Sequence, residues 1–247
     1  MQYNSIKETA EIILGRPLKE EEGMPINEIE VAEKRLQLRL PSVLREFHLM
    51  VGNLTLITNS TERFFPLSEI FCIDGKLAFA EEQSGSGFWA INISERYNKD
   101  ATVYMGVRKQ DSDTVIWFRE GVGITEFIHS TMFYQCAQAS YEYNQFLGNY
   151  SFSGAILLDQ NENTINRLMN QLNSGWDKVV DRNNLSIYWN NKRIVWFFTN
   201  QQGVPDEMVM LSSQTEESYI DLLKELNFYR GKDKDETDEN QKEDKAA

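Results

Sequence analysis

The sequence predicts an α+β protein, with N-terminal helices packed on an antiparallel sheet and then a smaller strand–helix–three strands–helix unit. Three observations predict this class. Apolar residues recur at helical spacing up to residue 53. Short β-branched and aromatic runs, separated by polar turns, follow between residues 54 and 118, and this spacing is typical of antiparallel strands. Between residues 151 and 229 the two patterns alternate.

The first predicted helix spans residues 6–14. Ser5 with Glu8 fits a capping box, in which each side chain accepts a hydrogen bond from the backbone N–H group of the other residue. Gly15 can adopt the left-handed conformation that ends a helix. Local chemistry therefore marks both ends of this helix.

Residues 27–52 are predicted to form two further short helices. Asn27 with Glu30 repeats the N-cap signature and begins the first of them. Pro41 suits the first position of the second helix, where the missing N–H group is not needed. Gly52 then ends that helix.

Five strands are predicted in the N-terminal part, because their residues are apolar and the connections between them are rich in polar turn residues. They cover residues 54–58, 77–83, 88–93, 102–107 and 114–118. Residues 63–70 hold Pro66 among large apolar side chains, which suits an edge strand or a connector. Helical spacing returns over residues 124–146.

Residues 151–229 are predicted to form a small α+β domain that follows a first domain of residues 1–150. Its strands and helices are expected in this order: strand 153–158, helix 161–173, strands 185–190, 193–200 and 207–213, and helix 216–228. Residues 230–247 are charged and almost free of apolar side chains, so they are predicted to be disordered.

The charge balance is strongly acidic. The formal net charge is −13, and residues 230–247 contribute −2 of it through seven acidic and five basic residues, which leaves −11 on residues 1–229. This charge argues against nucleic acid and anionic membranes as partners and is compatible with a basic protein. Acidity that serves solubility alone is an equally open interpretation.

Other features of the sequence predict a cytoplasmic location. No apolar run is long enough to span a membrane, and the N-terminus lacks the pattern of a secretory signal. Cys72 and Cys136 do not form a disulfide framework, so both are expected to be buried free thiols in a reducing compartment.

Motifs for catalysis, metals or cofactors are absent from the sequence. His48 and His129 stand far apart and belong to no metal-ligand motif, so both are predicted to be structural or surface residues. Phe47 is expected to be buried, with His48 at the edge of the helix. The Gly-x-Gly fragments at 85–87 and 121–123 lack the frame of a nucleotide site and are predicted to be turns. No catalytic residue, cofactor or metal is therefore predicted.

Four residues are predicted to contact a partner. Glu81 and Glu82 form a carboxylate pair at the end of a predicted strand, where adjacent side chains point to opposite faces. That alternation favours a polar recognition surface over a catalytic carboxylate pair. Trp89 and Tyr104 lie on neighbouring predicted strands, and such aromatic residues commonly anchor protein interfaces.

A spaced set of residues resembles the signature of the SUKH superfamily, which includes the yeast cell-wall-assembly (glucan-synthesis) regulator. The similarity covers residues 26–135. Its first part is an amphipathic helix, a Leu-Pro corner, an LREF motif and a glycine: Ile29, Ala32, Glu33, Leu36, Leu40, Pro41, Leu44, Arg45, Glu46, Phe47, Gly52 and Asn53. It continues at Phe65, Pro66, Leu67, Ile70, Leu77, Phe79, Glu82, Trp89, Asn92, Val103 and Tyr104.

The resemblance implies helices packed on one antiparallel sheet, with a cleft for protein binding and no enzymatic activity. Many bacterial members are immunity proteins that neutralise a polymorphic toxin, often a nuclease, whereas eukaryotic members are regulatory scaffolds. An immunity protein is the leading expectation, and a regulatory scaffold with a cellular partner is the alternative. An enzyme with a site of unfamiliar type is a third hypothesis. The unit at 151–229 departs from the single-domain pattern, so either unit could carry the binding face.

Overall fold

The computed structural model describes residues 5–60, 62–109, 114–142, 152–182 and 184–228. It confirms the predicted α+β class, because helices pack on two antiparallel sheets. The predicted helical residues 143–146 and the predicted disordered segment 230–247 lie outside the described residues.

Five helices precede or follow the first sheet: α1 (Ile6–Leu14), α2 (Ile26–Leu36), α3 (Ser42–Val51), α4 (Thr55–Thr58) and α5 (Ile124–Glu142). The capping box of α1 is confirmed. The Ser5 hydroxyl accepts from the Glu8 N–H group at 3.3 Å, and the Glu8 carboxylate accepts from the Ser5 N–H group at 3.0 Å. Gly15 ends α1 with a φ of 66°.

Two predicted helix starts are corrected by one or two residues. Pro25 caps α2 without a side-chain hydrogen bond, so the predicted cap at Asn27 is wrong. Pro41 is the capping residue of α3 rather than its first helical residue. In both cases the proline holds an extended backbone that leads into the helix, a role that needs no side-chain acceptor.

The predicted strand at residues 54–58 is wrong, because Thr55–Thr58 forms the short helix α4. The Leu54 carbonyl accepts from the N–H groups of Ile57 and Thr58 at 2.9 and 3.0 Å. Ile57 is fully buried and α4 packs on α5. This tertiary contact overrides the weak strand preference of a short β-branched run.

Within the described residues, the first sheet contains six antiparallel strands: β1 (Glu62–Phe64), β2 (Phe71–Ile73), β3 (Lys76–Glu82), β4 (Gly87–Asn92), β5 (Thr102–Arg108) and β6 (Val115–Gly123). Their order is β1-β3-β4-β5-β6, and β2 also pairs with β3. The strands predicted from residue 77 onward are confirmed, with β6 ending five residues later than expected.

In the part of the chain that the structure describes, the second sheet has five antiparallel strands, one more than predicted: β7 (Phe152–Leu157), β8 (Asp177–Arg182), β9 (Leu185–Asn190), β10 (Arg193–Phe198) and β11 (Met208–Ser213). Their order is β7-β11-β10-β9-β8, and α6 (Glu162–Gly175) and α7 (Glu216–Glu225) pack on this sheet. The prediction missed β8 because four of its six residues are charged and Val180 is its one fully buried side chain.

Helix α5 lies between the two sheets. Phe127 contacts Phe79 of the first sheet at a ring distance of 5.6 Å, and Phe133 contacts Trp189 of the second sheet at the same distance. Apolar side chains of both sheets therefore share one continuous core through this helix. The face of the first sheet that contacts α5 is called the inner face below, and the opposite face is called the outer face.

A β-bulge in β3 decides which face its last residues occupy. Before the bulge Ala78 pairs with Ala90, and after it Ala80 pairs with Trp89. The extra residue shifts the alternation by one position. As a result Glu82 belongs to the inner face and Glu81 to the outer face.

Candidate functional site

A group of carboxylates on the inner face surrounds an aromatic pair. Glu62 and Glu82 are Cα partners across β1 and β3, and directly opposite residues of an antiparallel pair project to the same face. Glu120 on β6 and Arg182 on β8 complete the charged part of the group, since both lie close enough to influence the pKa of Glu62. These four residues with Trp89 and Phe127 are named the Glu62 cluster.

The aromatic pair connects the strands of the cluster to α5. The Trp89 indole N–H group donates a hydrogen bond of 2.9 Å to Glu120 Oε1. The Trp89 and Phe127 ring centres are 5.3 Å apart, and the Arg182 guanidinium lies 4.6 Å from the centre of the Phe127 ring. Since a cation over an aromatic face is attracted by the ring quadrupole, this stack positions Arg182 beside the carboxylates.

Glu62 is the most perturbed carboxyl group of the cluster. Its Oε2 atom is enclosed and has no hydrogen-bond partner among the described residues. Burial raises the pKa of Glu62 to about 8, and the negative charges of Glu82 and Glu120 add to this effect while Arg182 opposes it. Glu62 is therefore mainly protonated at neutral pH.

The backbone of Glu62 is held by α5. The Glu62 N–H group donates to the Gln135 side-chain oxygen at 3.1 Å, and the Gln135 side-chain amide donates to the Glu62 carbonyl. This pair of bonds ties the edge strand β1 to α5 and fixes the backbone of Glu62 beside the helix.

Glu82 lies at the solvent-accessible side of the cluster, beside the exposed turn of residues 83–86. Its Oε2 atom accepts hydrogen bonds from the hydroxyl groups of Ser86 at 2.5 Å and Ser84 at 3.3 Å. Gly85 has a φ of 69°, a conformation that glycine adopts without strain. The turn therefore offers hydroxyl groups and a carboxylate to a partner.

The outer face carries a different arrangement of charges. Glu81 forms an ion pair with Arg63 at 2.6 Å, and Arg63 also binds Glu69 at 2.7 Å. Lys76 lies 5.2 Å from the ring centre of Tyr104 and 4.8 Å from that of Trp117. Arg63 and Lys76 on this face are thus already paired with carboxylates or rings.

The four residues predicted to contact a partner are divided between the two faces. Glu82 and Trp89 belong to the Glu62 cluster, whereas Glu81 and Tyr104 belong to the outer face. Trp89 is only 5 % exposed, so its ring forms the floor of the cluster and contributes to the core. The structure brings two of the four together.

The sequence prediction missed three charged members of the cluster. Glu62 is the first residue of β1 and lies one position before the predicted segment 63–70. Glu120 lies in the part of β6 beyond the predicted strand end at residue 118. Arg182 lies on β8, which was not predicted. No alternation marks Glu62 in the sequence, because β1 has only three residues and Phe64 is the one that is buried. The proximity of Glu62 to Glu120 depends on the geometry of the sheet, and no local pattern in the sequence indicates it.

The two histidines are buried. Phe47 is fully buried as predicted, but His48 is 2 % exposed, so its expected place at the helix edge is wrong. Neither ring nitrogen of His48 has a hydrogen-bond partner among the described residues, and burial lowers its pKa to about 4. His129 Nδ1 lies 2.8 Å from the Thr9 hydroxyl, and burial lowers the pKa of His129 to about 4 as well.

The two thiols differ in exposure. Cys136 is buried as predicted, and burial raises its pKa to about 12. Cys72 is exposed, which corrects the expectation that both are buried, and desolvation raises its pKa too. A nucleophilic cysteine needs a lowered pKa, so both thiols have the opposite tendency.

Across the described residues, no three His, Cys, Asp or Glu side chains come together as a metal site. In the same part of the chain, no helix combines the length and apolar character that a membrane crossing requires. Comparison of the chain with protein-family models, curated proteins and solved structures found no match. The resemblance to the SUKH superfamily therefore remains a prediction that rests on the spaced residues alone.

Proposed function

We propose that this protein is a non-enzymatic binding module that neutralises a basic toxin domain by direct contact, as immunity proteins of the SUKH type do. The observation that carries the proposal is the Glu62 cluster. It gathers three glutamates from three strands around a buried tryptophan, next to an exposed turn.

The electrostatics of the cluster favour a cationic partner group. Burial is the main cause of the raised pKa of Glu62, Arg182 opposes it, and the negative potential of Glu82 and Glu120 adds to it. An arginine or lysine side chain placed at Glu82 would be attracted by the same potential. Complementary charge increases association rates and gives specificity more than it gives raw affinity.

The acidic balance of the whole chain supports a basic protein over nucleic acid. Residues 1–229 carry a formal charge of −11. Nucleic-acid binding draws most of its affinity from basic side chains on phosphates, and a chain of this charge would repel phosphates. A nuclease domain, which is itself basic where it holds its substrate, has the opposite charge.

The direct test is co-expression in bacteria with the toxin domain encoded next to this gene. Cells that make both proteins are expected to survive, and cells that make the toxin domain alone are expected to die. Death at the same rate in both cultures would reject the immunity function. Binding to a cellular protein in that case would favour the regulatory-scaffold alternative.

The role of the cluster is tested with the double variant Glu82→Gln/Glu120→Gln. Glutamine keeps an acceptor for the Trp89 indole while two charges are removed. Affinity for the toxin domain is expected to fall about 10- to 100-fold, and its decrease with rising salt is expected to become shallower.

A matched control removes two charges elsewhere. Glu216→Gln/Glu217→Gln changes two exposed glutamates at the start of α7, which packs on the second sheet. This variant is expected to bind within about 2-fold of the wild type if the cluster is the contact. Equal losses in both double variants would show that overall charge, not the cluster, governs binding.

A further inference from the structure

The edge strand β6 is long and apolar. Within the described residues it pairs with β5 on one side only, and it ends the strand order of the first sheet. Ile116 is 46 % exposed and Phe118 is 54 % exposed. Natural proteins usually protect such edges with charges, prolines, bulges or a covering element, because a bare edge can pair with another strand.

The alternation of hydrogen-bonded residues along β6 shows which of its backbone groups point away from β5. The Lys109 N–H group donates to the Thr114 carbonyl at 3.0 Å across the β5–β6 hairpin. Hydrogen-bonded positions alternate along an antiparallel pair, so Ile116 and Phe118 bond to β5. The N–H and C=O groups of Val115, Trp117 and Arg119 consequently point away from β5.

We propose that two copies of this chain associate through antiparallel pairing of their β6 strands, with the two-fold axis at Trp117. In this register Val115, Trp117 and Arg119 of one copy meet Arg119, Trp117 and Val115 of the other, so the outward backbone groups of these three residues find partners. Directly opposite residues then share a face. The exposed Ile116 of each copy meets the exposed Phe118 of the other, twice in one dimer.

A second register, centred on Phe118, also satisfies the outward backbone groups but pairs side chains less well. It places Ile116 opposite Glu120. Glu120 already accepts a hydrogen bond from Trp89, and its carboxylate would lose water against an apolar side chain. The register centred on Trp117 avoids this loss and pairs apolar side chains with each other.

Charge favours a second copy at this edge over other surfaces of the chain. The whole chain has a net charge of −13, so two copies repel each other at most approaches. The strand β6 carries one basic residue, Arg119, and one acidic residue, Glu120, and has no net charge. Salt screens the remaining repulsion, so self-association is expected to strengthen as salt rises, whereas toxin binding is expected to weaken.

The first experiment measures the mass of the full chain by analytical ultracentrifugation over a range of concentrations and salt. A concentration-dependent dimer is expected, and Phe118→Lys is expected to raise its dissociation constant at least 10-fold. The control Leu157→Lys alters a side chain that is 78 % exposed on β7, an edge of the second sheet, and is expected to leave the dimer intact. A wild type that stays monomeric at every concentration would overturn the proposal, as would loss of the dimer in Leu157→Lys alone.

The register is tested by cross-linking in a Cys72→Ser background, which removes the exposed native thiol. A residue on the two-fold axis lies opposite the same residue of the second copy. Trp117→Cys is therefore expected to form a disulfide-linked dimer under mild oxidation. Efficient cross-linking of Phe118→Cys without that of Trp117→Cys would refute this register. Both experiments use the isolated protein, so their outcome is separate from that of toxin neutralisation.

Discussion

The inner and outer faces of the first sheet carry similar side chains in different surroundings. On the inner face Glu62 is enclosed, and its Oε2 atom lacks a partner among the described residues. On the outer face Glu81 binds Arg63 at 2.6 Å while both side chains keep more than a quarter of their surface exposed. The difference shows that desolvation, more than the number of nearby charges, shifts the pKa of Glu62.

Trp89 on the inner face and Trp117 on the outer face also differ in their exposure to water. Trp89 is 5 % exposed and contacts Phe127 and Glu120. Trp117 is only partly buried, with its ring 5.4 Å from Phe88 and its indole N–H group 3.2 Å from Asp74. Trp89 therefore supports the core, whereas Trp117 covers the outer face of the sheet while it remains partly accessible to water.

Replacement of each tryptophan by alanine is expected to give the largest difference in the free energy of unfolding between the two faces. Trp89→Ala should lower the free energy of unfolding by about 3–5 kcal/mol, because it leaves a cavity against Phe127. Trp117→Ala should lower it by about 1 kcal/mol, because water can fill the space. Guanidinium denaturation of both variants measures the difference, and equal losses would contradict the division into buried and accessible faces.

A pH-dependent effect is expected from Glu62→Gln. Below about pH 4.5 both folded and unfolded Glu62 are protonated, so its raised pKa carries no penalty. As the pH rises to about 8, the Glu62 carboxyl ionises in the unfolded state before it ionises in the folded state. The wild type therefore loses stability relative to the variant. The gap in unfolding free energy should grow by about 3–5 kcal/mol over this range.

Urea denaturation at pH 4, 6 and 8 measures that gap. Glu81→Gln is the matched control, since it removes a carboxylate from the same strand region on the outer face. Its difference from the wild type is expected to stay within about 1 kcal/mol, as for an accessible ion pair. A gap for Glu62→Gln that does not change with pH would show that its carboxyl is ionised in the folded protein.

The smallest effect is expected from Lys76→Gln on the outer face. Lys76 lies over the rings of Tyr104 and Trp117, and accessible cation–π contacts stabilise by about 0.5–1 kcal/mol. Thermal unfolding should therefore show a shift of only a few degrees. A loss as large as that of Trp89→Ala would place Lys76 in a structural role that its accessible setting does not suggest.

Short-range signals in the sequence predicted much of the fold. The capping box at Ser5 and the glycine stop at Gly15 were correct, because each depends on residues within one turn of helix. Residues 54–58 were predicted wrongly, because contact with α5 decided their conformation. The strand β8 was missed, because an edge strand with four charged residues lacks the apolar pattern that identifies strands.

The candidate site was predictable only in part. Glu82 and Trp89 were identified from their types and strand positions, and both belong to the Glu62 cluster. Glu81 and Tyr104 were identified by the same reasoning but lie on the outer face. Alternation along a strand predicts that neighbours separate, yet it does not predict which of them faces the core when a bulge intervenes.

The sequence by itself determined the α+β class, the ends of α1, the strands from residue 77 onward and the opposite faces of Glu81 and Glu82. These features follow from interactions between residues a few positions apart. The tertiary structure alone decided that Glu62, Glu120 and Arg182 come together beside the Trp89–Phe127 pair and that Glu62 stays protonated. Burial and cross-strand register arise from residues distant in the chain, and the pKa of a carboxyl group depends on the water that such packing excludes.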